Sequence, residues 1–404
     1  MSIDTPTPTL KSAMGDYWSR VKSGDIGSLP AVLGLIALCA VFTTMSSFFL
    51  TPGNFANLLT QAAGVIVIAM GLIFVLLLGD IDLSAGYSAG VSGAILVILV
   101  TNHHWGWAPA LAVSIVAGIV MGLVIGSLVS YLGVPSFVVP LAMFLAFQGI
   151  LLLLAGEGGT IPITDKTVVA IENSNMSPLL SWAFYLGASA LYILSGLRKM
   201  AMRRKAGLKS ELVQLWALKT FGLLAICAGA VYSLNLERSN NVALVSLKGI
   251  PEVVVLILAI LVVGTFFLGR TSFGRHLYAV GGNAEAARRS GIDVKRVRLM
   301  AFVICSTLSA IAGLIFVSRA NSVSPTTGGN ATLLYAVGAA VIGGTSLFGG
   351  KGKMRDAILG GLVVAVIDNG MGLLGYAAGI KYIVTGLVLL VSAGVDALSR
   401  KGSS

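Results

Sequence analysis

The sequence predicts an all-α polytopic membrane protein, and three observations lead to this prediction. Of the 404 residues, 56% are hydrophobic and only 11% are charged, whereas soluble domains carry about 25% charged residues. Apolar runs of about 20 residues, the length that crosses a bilayer as a helix, recur along the chain. The 27 Lys and Arg residues cluster between alternate runs, as expected when basic loops stay on one side of the membrane.

Twelve apolar runs are candidates for transmembrane helices. They cover residues 29–50, 55–79, 83–101, 108–131, 134–156, 179–197, 215–235, 250–269, 299–318, 330–348, 357–375 and 378–397. The runs 83–101 and 330–348 are rich in glycine, which lowers helix propensity, so the count is ten or twelve. The transmembrane domain is therefore predicted over 29–398, with a cytoplasmic N-terminal tail over 1–28 and a C-terminal tail over 399–404.

The orientation follows from the basic residues. With both termini in the cytoplasm and all twelve runs crossing, 22 of the 27 Lys and Arg residues fall on the cytoplasmic side. The five on the other side are Lys166, Arg238, Lys248, Arg319 and Lys381. The net charge of +11 is then explained by this bias, and nucleic acid is not an expected partner.

Two acidic residues interrupt the apolar pattern early in the chain. Asp80 and Asp82 lie between two runs, in the stretch Gly79–Gly86. A carboxylate in the bilayer centre costs about 2.5–3.5 kcal/mol, so they indicate either a broken helix that lines a polar pathway or contacts another subunit, or a short cytoplasmic turn. In the second case Asp82 would cap the helix that begins near Leu83.

The loop 270–298 is the longest polar stretch in the second half of the chain. Asn283 is expected to cap a short helix from Ala284 to Ser290 that ends at Gly291. Glu285 in its first turn and Arg288 and Arg289 in its last suit the helix dipole. Such a helix fits a docking element for a soluble partner, and the alternative is a basic loop facing lipid headgroups.

Other candidate chemistry is sparse. The segment 343–352 fails the phosphate-loop pattern at two positions, and no catalytic set, cofactor motif or metal-ligand cluster is apparent. Asp368 and Asn369 lie within the run 357–375, where an ionisable residue is a functional candidate but interhelical hydrogen bonding is as plausible.

The order of motifs resembles a known family. GDIDLSAG after an early run, FGRHLYAVGGNAEAARRSGI in a late loop, AVIGGTSLFGGKG and GGLVVAVIDNGMGLLG are similar to the monosaccharide branch of bacterial ABC importer permeases, which serves ribose, galactose and xylose. The resemblance covers about residues 30–175 and 245–398.

The resemblance implies a multi-pass protein of the bacterial plasma membrane that is not itself an enzyme. It implies a pathway formed by two permease copies, a cytoplasmic ABC ATPase, an extracytoplasmic sugar-binding protein and a small neutral sugar as cargo. The helix that couples to the ATPase would comprise Asn283, Ala284, Glu285, Ala286, Ala287, Arg288, Arg289, Ser290 and Gly291. Candidate pathway residues are Asp82, Ser84, Gly86, Ser88, Asn330, Asp368 and Asn369.

One departure from most relatives is an insertion of two apolar runs over 179–235, joined by a basic loop. A ten-helix core plus this helical hairpin is similar to xylose permeases of the family, which favours xylose as the substrate. Ribose or galactose, branched-chain amino acids, a secondary transporter and a channel remain alternatives.

Overall fold

The structure is a computed structural model that describes residues 29–207, 212–239, 241–242 and 245–401. The predicted N-terminal tail, 1–28, lies outside the described residues. The described helices are α1 Leu29–Met45, α2 Pro52–Leu76, α3 Ala85–Thr101, α4 Trp107–Ser130, α5 Val138–Ala155, α6 Lys166–Asn173, α7 Pro178–Lys205, α8 Val213–Asn235, α9 Glu252–Arg270, α10 Ser272–Gly282, α11 Ala284–Arg289, α12 Val294–Ala320, α13 Asn330–Ile342, α14 Met354–Leu373 and α15 Ala378–Lys401.

The chain is an integral membrane protein built from helices. Each of the twelve apolar runs contains a helix, and eight helices of the described residues are long and apolar enough to span a membrane. Four further apolar helices, α1, α3, α13 and α15, have only 10–17 residues whose side chains the structure describes. Several helix ends differ from the runs. Helix α13 ends at Ile342, before Gly343–Gly344, α7 continues to Lys205, α12 begins already at Val294, and α15 continues to Lys401 into the predicted tail.

The chain divides into two compact units. Among the described residues, the core unit comprises 29–174 and 251–397, and the hairpin unit comprises those of 175–250 together with 398–401. The core unit is built around α2, α12 and α14, whose apolar windows are mostly buried. In the hairpin unit, α7 and α8 expose most of their side chains.

Small residues set the close packing of the core unit. Gly118, Gly122 and Gly126 recur every fourth residue on α4 and face the backbone of α12, where a Cβ would come within 2.9 Å of main-chain oxygens. This spacing places all three on one helix face, so two backbones can approach closely. Strands β1 (Ile161–Pro162) and β2 (Ser322–Val323) form a short antiparallel pair, with Ile161 opposite Val323.

Candidate functional site

The break after α2 places both early carboxylates inside the core unit. Gly79 turns the chain with a φ of 77°, and α3 does not begin until Ala85. Asp80 is buried and pairs with Arg298 of α12, with 2.8 Å between Oδ2 and Nε. The ion pair is close, but these two atoms are not aligned as a hydrogen bond.

Asp82 is fully buried and organises the turn before α3. Its Oδ1 accepts hydrogen bonds from the Ser84 backbone N–H at 2.9 Å and from the Ser84 hydroxyl at 2.6 Å. The N-cap of α3 is Ser84, without a side-chain capping bond, so Asp82 shapes the turn and does not cap the helix. Its Oδ2 makes no aligned hydrogen bond among the described residues, and the Cys305 thiol of α12 lies beside the carboxylate.

The first turns of α3 meet the segment that precedes α13. A Cβ on Gly86 would overlap the Gly328 carbonyl, and one on Gly90 would overlap the Thr327 carbonyl. Because α13 begins at Asn330, two helix N-termini lie near each other within the core unit. The Asn330 side chain itself lies outside the described part.

Polar groups next to these N-termini are buried. Ser88 is fully buried, as is Ser92 one turn later, and neither hydroxyl has a hydrogen-bond partner among the described residues. Like Asp82, both lie buried in the core unit. Unbonded hydroxyls in a protein interior cost free energy, so this is a place where a polar ligand or a rearrangement would supply the missing bonds.

Asn369 and Asp368 lie near the C-terminal end of α14 and differ in role. Asn369 is buried and exchanges two hydrogen bonds of 2.9 Å with Asn54 at the start of α2, a reciprocal amide pair that ties two helices together. Asp368 is 38% exposed and lies 3.4 Å from the Lys381 ammonium group.

The predicted short helix of the late loop is present as α11, and Asn283 caps it by accepting a hydrogen bond from the Ala286 N–H at 2.9 Å. Glu285 accepts from Arg288 and Arg289, each at 3.0 Å. These bonds lower the pKa of the Glu285 carboxyl. Ser290 follows the helix, and Gly291 then turns the chain with a φ of 83°.

Most of the surface of α11 is available to a partner. The side chains of Arg288 and Arg289 are 71% and 80% exposed, and Ala287 is the buried residue of the helix. The helix therefore presents a compact, internally paired charge cluster on an otherwise small-residue surface.

Glycines from three segments meet next to α11, and the sequence did not predict this. The Leu77 carbonyl at the end of α2 accepts a hydrogen bond from the Gly350 N–H at 2.8 Å, and a Cβ on Gly281 of α10 would overlap the same carbonyl. Gly349 lies against Gly281 and Gly79. We call these four glycines, 79, 281, 349 and 350, the glycine junction.

A hydrogen bond of 2.7 Å from the Tyr278 hydroxyl to the Gly352 carbonyl joins α10 to the loop before α14 as well. The early break, the helix before α11 and the loop 343–352 are thus one packed assembly. The sequence shows glycines at 79–86, 281–282 and 343–352, but no local pattern reveals that these three stretches meet.

A buried carboxyl outside these motifs was also missed. Glu172 lies in the last turn of α6, a short helix between spans, and neither of its carboxylate oxygens has a hydrogen-bond partner among the described residues. Burial raises the pKa of Glu172 to about 8, against the opposing charge of Arg319. Arg319 instead donates to Thr60 of α2 at 2.9 Å.

Comparison with known proteins adds a family to this geometry. The profile described as branched-chain amino acid transport system / permease component matches residues 54–393. The xylose transport system permease protein XylH of Escherichia coli (strain K12) is 36% identical over 397 residues, covering 96% of this chain and 95% of the relative. XylH of Haemophilus influenzae is 34% identical over 387 residues, covering 95% of this chain and 99% of the relative.

More distant relatives match over a similar length. The ribose import permease protein RbsC of Escherichia coli (strain K12) is 27% identical over 366 residues, covering 91% of this chain and 92% of the relative. No solved structure matches the chain. Because the profile and the relatives cover nearly the whole chain, this protein belongs to the branched-chain amino acid transport system / permease component family.

Proposed function

We propose that this chain is the transmembrane permease subunit of an ATP-driven ABC importer of the bacterial plasma membrane, and that its cargo is a monosaccharide, with xylose favoured. The observation that carries the proposal is the near full-length similarity to two xylose permeases, at 36% and 34% identity, against 27% for a ribose permease. The family description also names branched-chain amino acids, which makes them the second candidate cargo.

In this proposal, twelve spans leave both termini in the cytoplasm, and successive loops lie on alternate sides of the membrane. Contacts in the core unit support this arrangement of the loops. The strands β1 and β2 pair with each other, and both belong to loops assigned to the outer side. The glycine junction and the Tyr278–Gly352 bond join segments assigned to the inner side.

The partners would be a second copy of the chain, a cytoplasmic ABC ATPase that hydrolyses ATP, and an extracytoplasmic binding protein that delivers the sugar. The exposed helix α11, from Asn283 to Gly291, would dock on the ATPase. Its movement would reach the end of α2 through the glycine junction, because Gly281 lies directly against the Leu77 carbonyl. The permease pair would then alternate between outward-open and inward-open conformations.

The burial and contacts of the candidate pathway residues suggest which of them would contact a sugar. Asp82, Ser84, Gly86 and Ser88 are buried in the described conformation, so they would meet a sugar only in another state of the cycle. The hydroxyls and the two helix N-termini suit the oxygen atoms of a neutral sugar. Asn369 is bonded to Asn54, so we propose a packing role for it, and Asp368 with Lys381 would lie towards the outer end.

The experiment is co-purification and transport with the neighbouring ATPase and binding protein. Replacing Glu285 and Arg288 by Ala should reduce ATPase co-purification and uptake of labelled xylose together. Replacing Arg355, an exposed residue on the same proposed side, should leave both unchanged. Unchanged assembly in the double variant rejects the coupling role, and uptake competed by leucine but not by xylose favours the amino acid alternative.

A further inference from the structure

The first turns of α2 carry a group of uncharged polar side chains. Asn57, Thr60 and Gln61 lie within the first three turns of the helix, and steps of about 100° per residue place them within one arc of about 100° on its surface. Asn57 is exposed, and Thr60 and Gln61 are half-buried. We call these three residues and Arg319 of α12 the outer polar row, because the start of α2 and the end of α12 belong to the proposed outer side.

Contacts with two neighbouring helices hold the outer polar row together. Arg319 donates to the Thr60 hydroxyl at 2.9 Å and to the Asn57 side-chain oxygen at 3.3 Å. Asn369 of α14 donates to the Gln61 side-chain oxygen at 3.3 Å. Two of these three distances exceed the usual value of about 3.0 Å, so these bonds are weak, and a ligand could replace them at little cost.

The exposed surface of α2 differs from that of a helix that faces lipid. Within 52–76, all of which the structure describes, the exposed residues are Gly53 and Asn57, and no large apolar side chain is exposed. Helix α5, in contrast, exposes Leu145 and Leu153 by 62% and 85%. Polar side chains within spans face the protein or a water-filled cavity, and interfaces between two copies are usually rich in apolar groups. This face of α2 therefore fits a water-filled path.

The chemical groups of the outer polar row suit a neutral sugar. The side-chain amides of Asn57 and Gln61 and the Thr60 hydroxyl can each donate and accept hydrogen bonds. The Arg319 guanidinium has five N–H donors, and its bonds to α2 use two of them. Neighbouring hydroxyls of a sugar also donate and accept, so they can bond to an amide and the guanidinium together. The row contains no carboxylate, which disfavours a cation as its ligand.

We propose that the outer polar row is a weak binding site that receives the sugar on the outer side of the membrane. The inference rests on the proposed function and adds a site to it. Asn57 is exposed in the described conformation, whereas Asp82 and Ser88 are buried. The sugar would therefore contact the outer polar row first and would reach the buried groups only after a rearrangement of the core unit.

The first test measures whether xylose shields position 57. Right-side-out membrane vesicles that contain Asn57→Cys are labelled from outside with a negatively charged maleimide that does not cross the membrane. Asn102→Cys is the control, because Asn102 is exposed at the end of α3 on the same proposed side. Xylose should slow the labelling of Asn57→Cys at least about threefold, which corresponds to sugar at twice its dissociation constant, and should leave Asn102→Cys unchanged.

The other outcomes of this labelling experiment overturn the site. They are labelling of Asn57→Cys that xylose does not slow, slowing by leucine but not by xylose, and a disulfide between two Asn57→Cys copies without protection by sugar. The last result would assign this face to a contact between copies. Failure of the proposed function is a separate result, because it would appear as a lack of xylose uptake by the wild-type importer.

The second test measures uptake by the complete importer with its ATPase and binding protein. The test variant combines Asn57→Leu with Thr60→Val, and the control combines Asn102→Leu with Thr101→Val. The control also loses a bond between segments, because Thr101 donates to the Pro162 carbonyl at 3.0 Å. Co-purification with the ATPase checks that both variants fold. The test variant should take up at least about fivefold less labelled xylose per ATP than the control, as expected for two lost hydrogen bonds. Equal uptake by the two variants would overturn the proposal.

Discussion

The core unit and the hairpin unit solve the problem of a helix in a membrane in different ways. In the core unit, 83% of the apolar window of α2 is buried, whereas in the hairpin unit 11% of that of α7 is buried. Core glycines such as Gly313 and Gly360 abut carbonyls of other helices, while Gly187, Gly222 and Gly229 of the hairpin have no atom within 4 Å of an added Cβ. The central core helices α2, α12 and α14 therefore pack on neighbouring helices, whereas the hairpin helices α7 and α8 bury little of their apolar surface within the chain.

The largest expected effect is on the free energy of unfolding, when a single glycine is replaced by alanine in each unit. A Cβ on Gly360 of α14 would overlap the Ala339 carbonyl of α13, so Gly360→Ala should lower the free energy of unfolding by about 3 kcal/mol or more. Gly229→Ala on α8 meets open space and should be neutral or stabilising by up to about 1 kcal/mol. Thermal unfolding in detergent measures both, and equal losses would mean that the two units pack alike.

A second pair of glycines tests whether movement of α11 reaches the end of α2 through the glycine junction. Gly281→Ala would press on the Leu77 carbonyl, whereas Gly282→Ala meets no atom within 4 Å. With the ATPase bound, Gly281→Ala should hydrolyse ATP with at least about tenfold less uptake per ATP, a misplacement effect of the size expected for positioning groups. Gly282→Ala should keep the wild-type ratio. If both variants keep it, movement does not pass through the glycine junction.

The two units also contain acidic residues with opposite pH behaviour. Burial raises the pKa of Glu172 in the core unit to about 8 from its ordinary 4.5. The folded protein then binds more protons at this group than the unfolded chain between about pH 4.5 and 8, so stability falls as pH rises through that range, by at most about 1.4 kcal/mol per unit. Glu172→Gln should remove this fall and raise the melting temperature at pH 8.

Glu237 of the hairpin unit is the matched case. Hydrogen bonds from the Leu247 N–H, the Ser246 hydroxyl and the Ser239 N–H lower its pKa to about 2 from its ordinary 4.5. Its contribution to stability is present above about pH 4.5 and is lost as pH falls towards 2. Glu237→Gln should therefore lower the melting temperature at neutral pH. A rise at pH 8 in Glu237→Gln, or a drop in Glu172→Gln, would contradict the assignment.

The smallest expected effects come from single hydrogen bonds between helices. Asn369→Leu removes the amide pair with Asn54 in the core unit. Tyr185→Phe removes the 2.9 Å bond from the Tyr185 hydroxyl to the Leu224 carbonyl in the hairpin unit. Such bonds average about 0.6 kcal/mol in membrane proteins. Chemical denaturation should show a larger loss for Asn369→Leu, because the buried Asn54 side-chain oxygen then loses the hydrogen bond it accepts, although its Nδ2 keeps the bond to the Phe49 carbonyl.

Local features were predictable from the sequence, and features that depend on distant segments were not. Asn283 and the charges of α11 act within one helical turn, so the cap and the short helix followed from the residue pattern. Each apolar run also contains a helix. The start of α3 at Ala85, opposite the segment before α13, depends on the carbonyls of Thr327 and Gly328, which no local pattern identifies.

The contacts of the candidate pathway residues could not be predicted from the sequence either, because they too depend on distant segments. The sequence singled out Asp82 as a candidate, but only tertiary structure shows that Ser84 bonds one of its carboxylate oxygens and that the other makes no aligned hydrogen bond among the described residues. Asp368 and Asn369 are neighbours in sequence, yet one pairs with Lys381 and the other with Asn54. Adjacent residues on a helix point in different directions, so their roles cannot be assigned as a pair.

The meeting of the α3 and α13 N-termini has a consequence for the buried carboxylate beside them. Each helix start carries a partial positive charge of about +0.5, and both lie in the same interior. Asp82, which is fully buried just before α3, offsets these partial charges when it is ionised. The interior then carries little net charge, which suits the neutral sugar of the proposed function better than an ion.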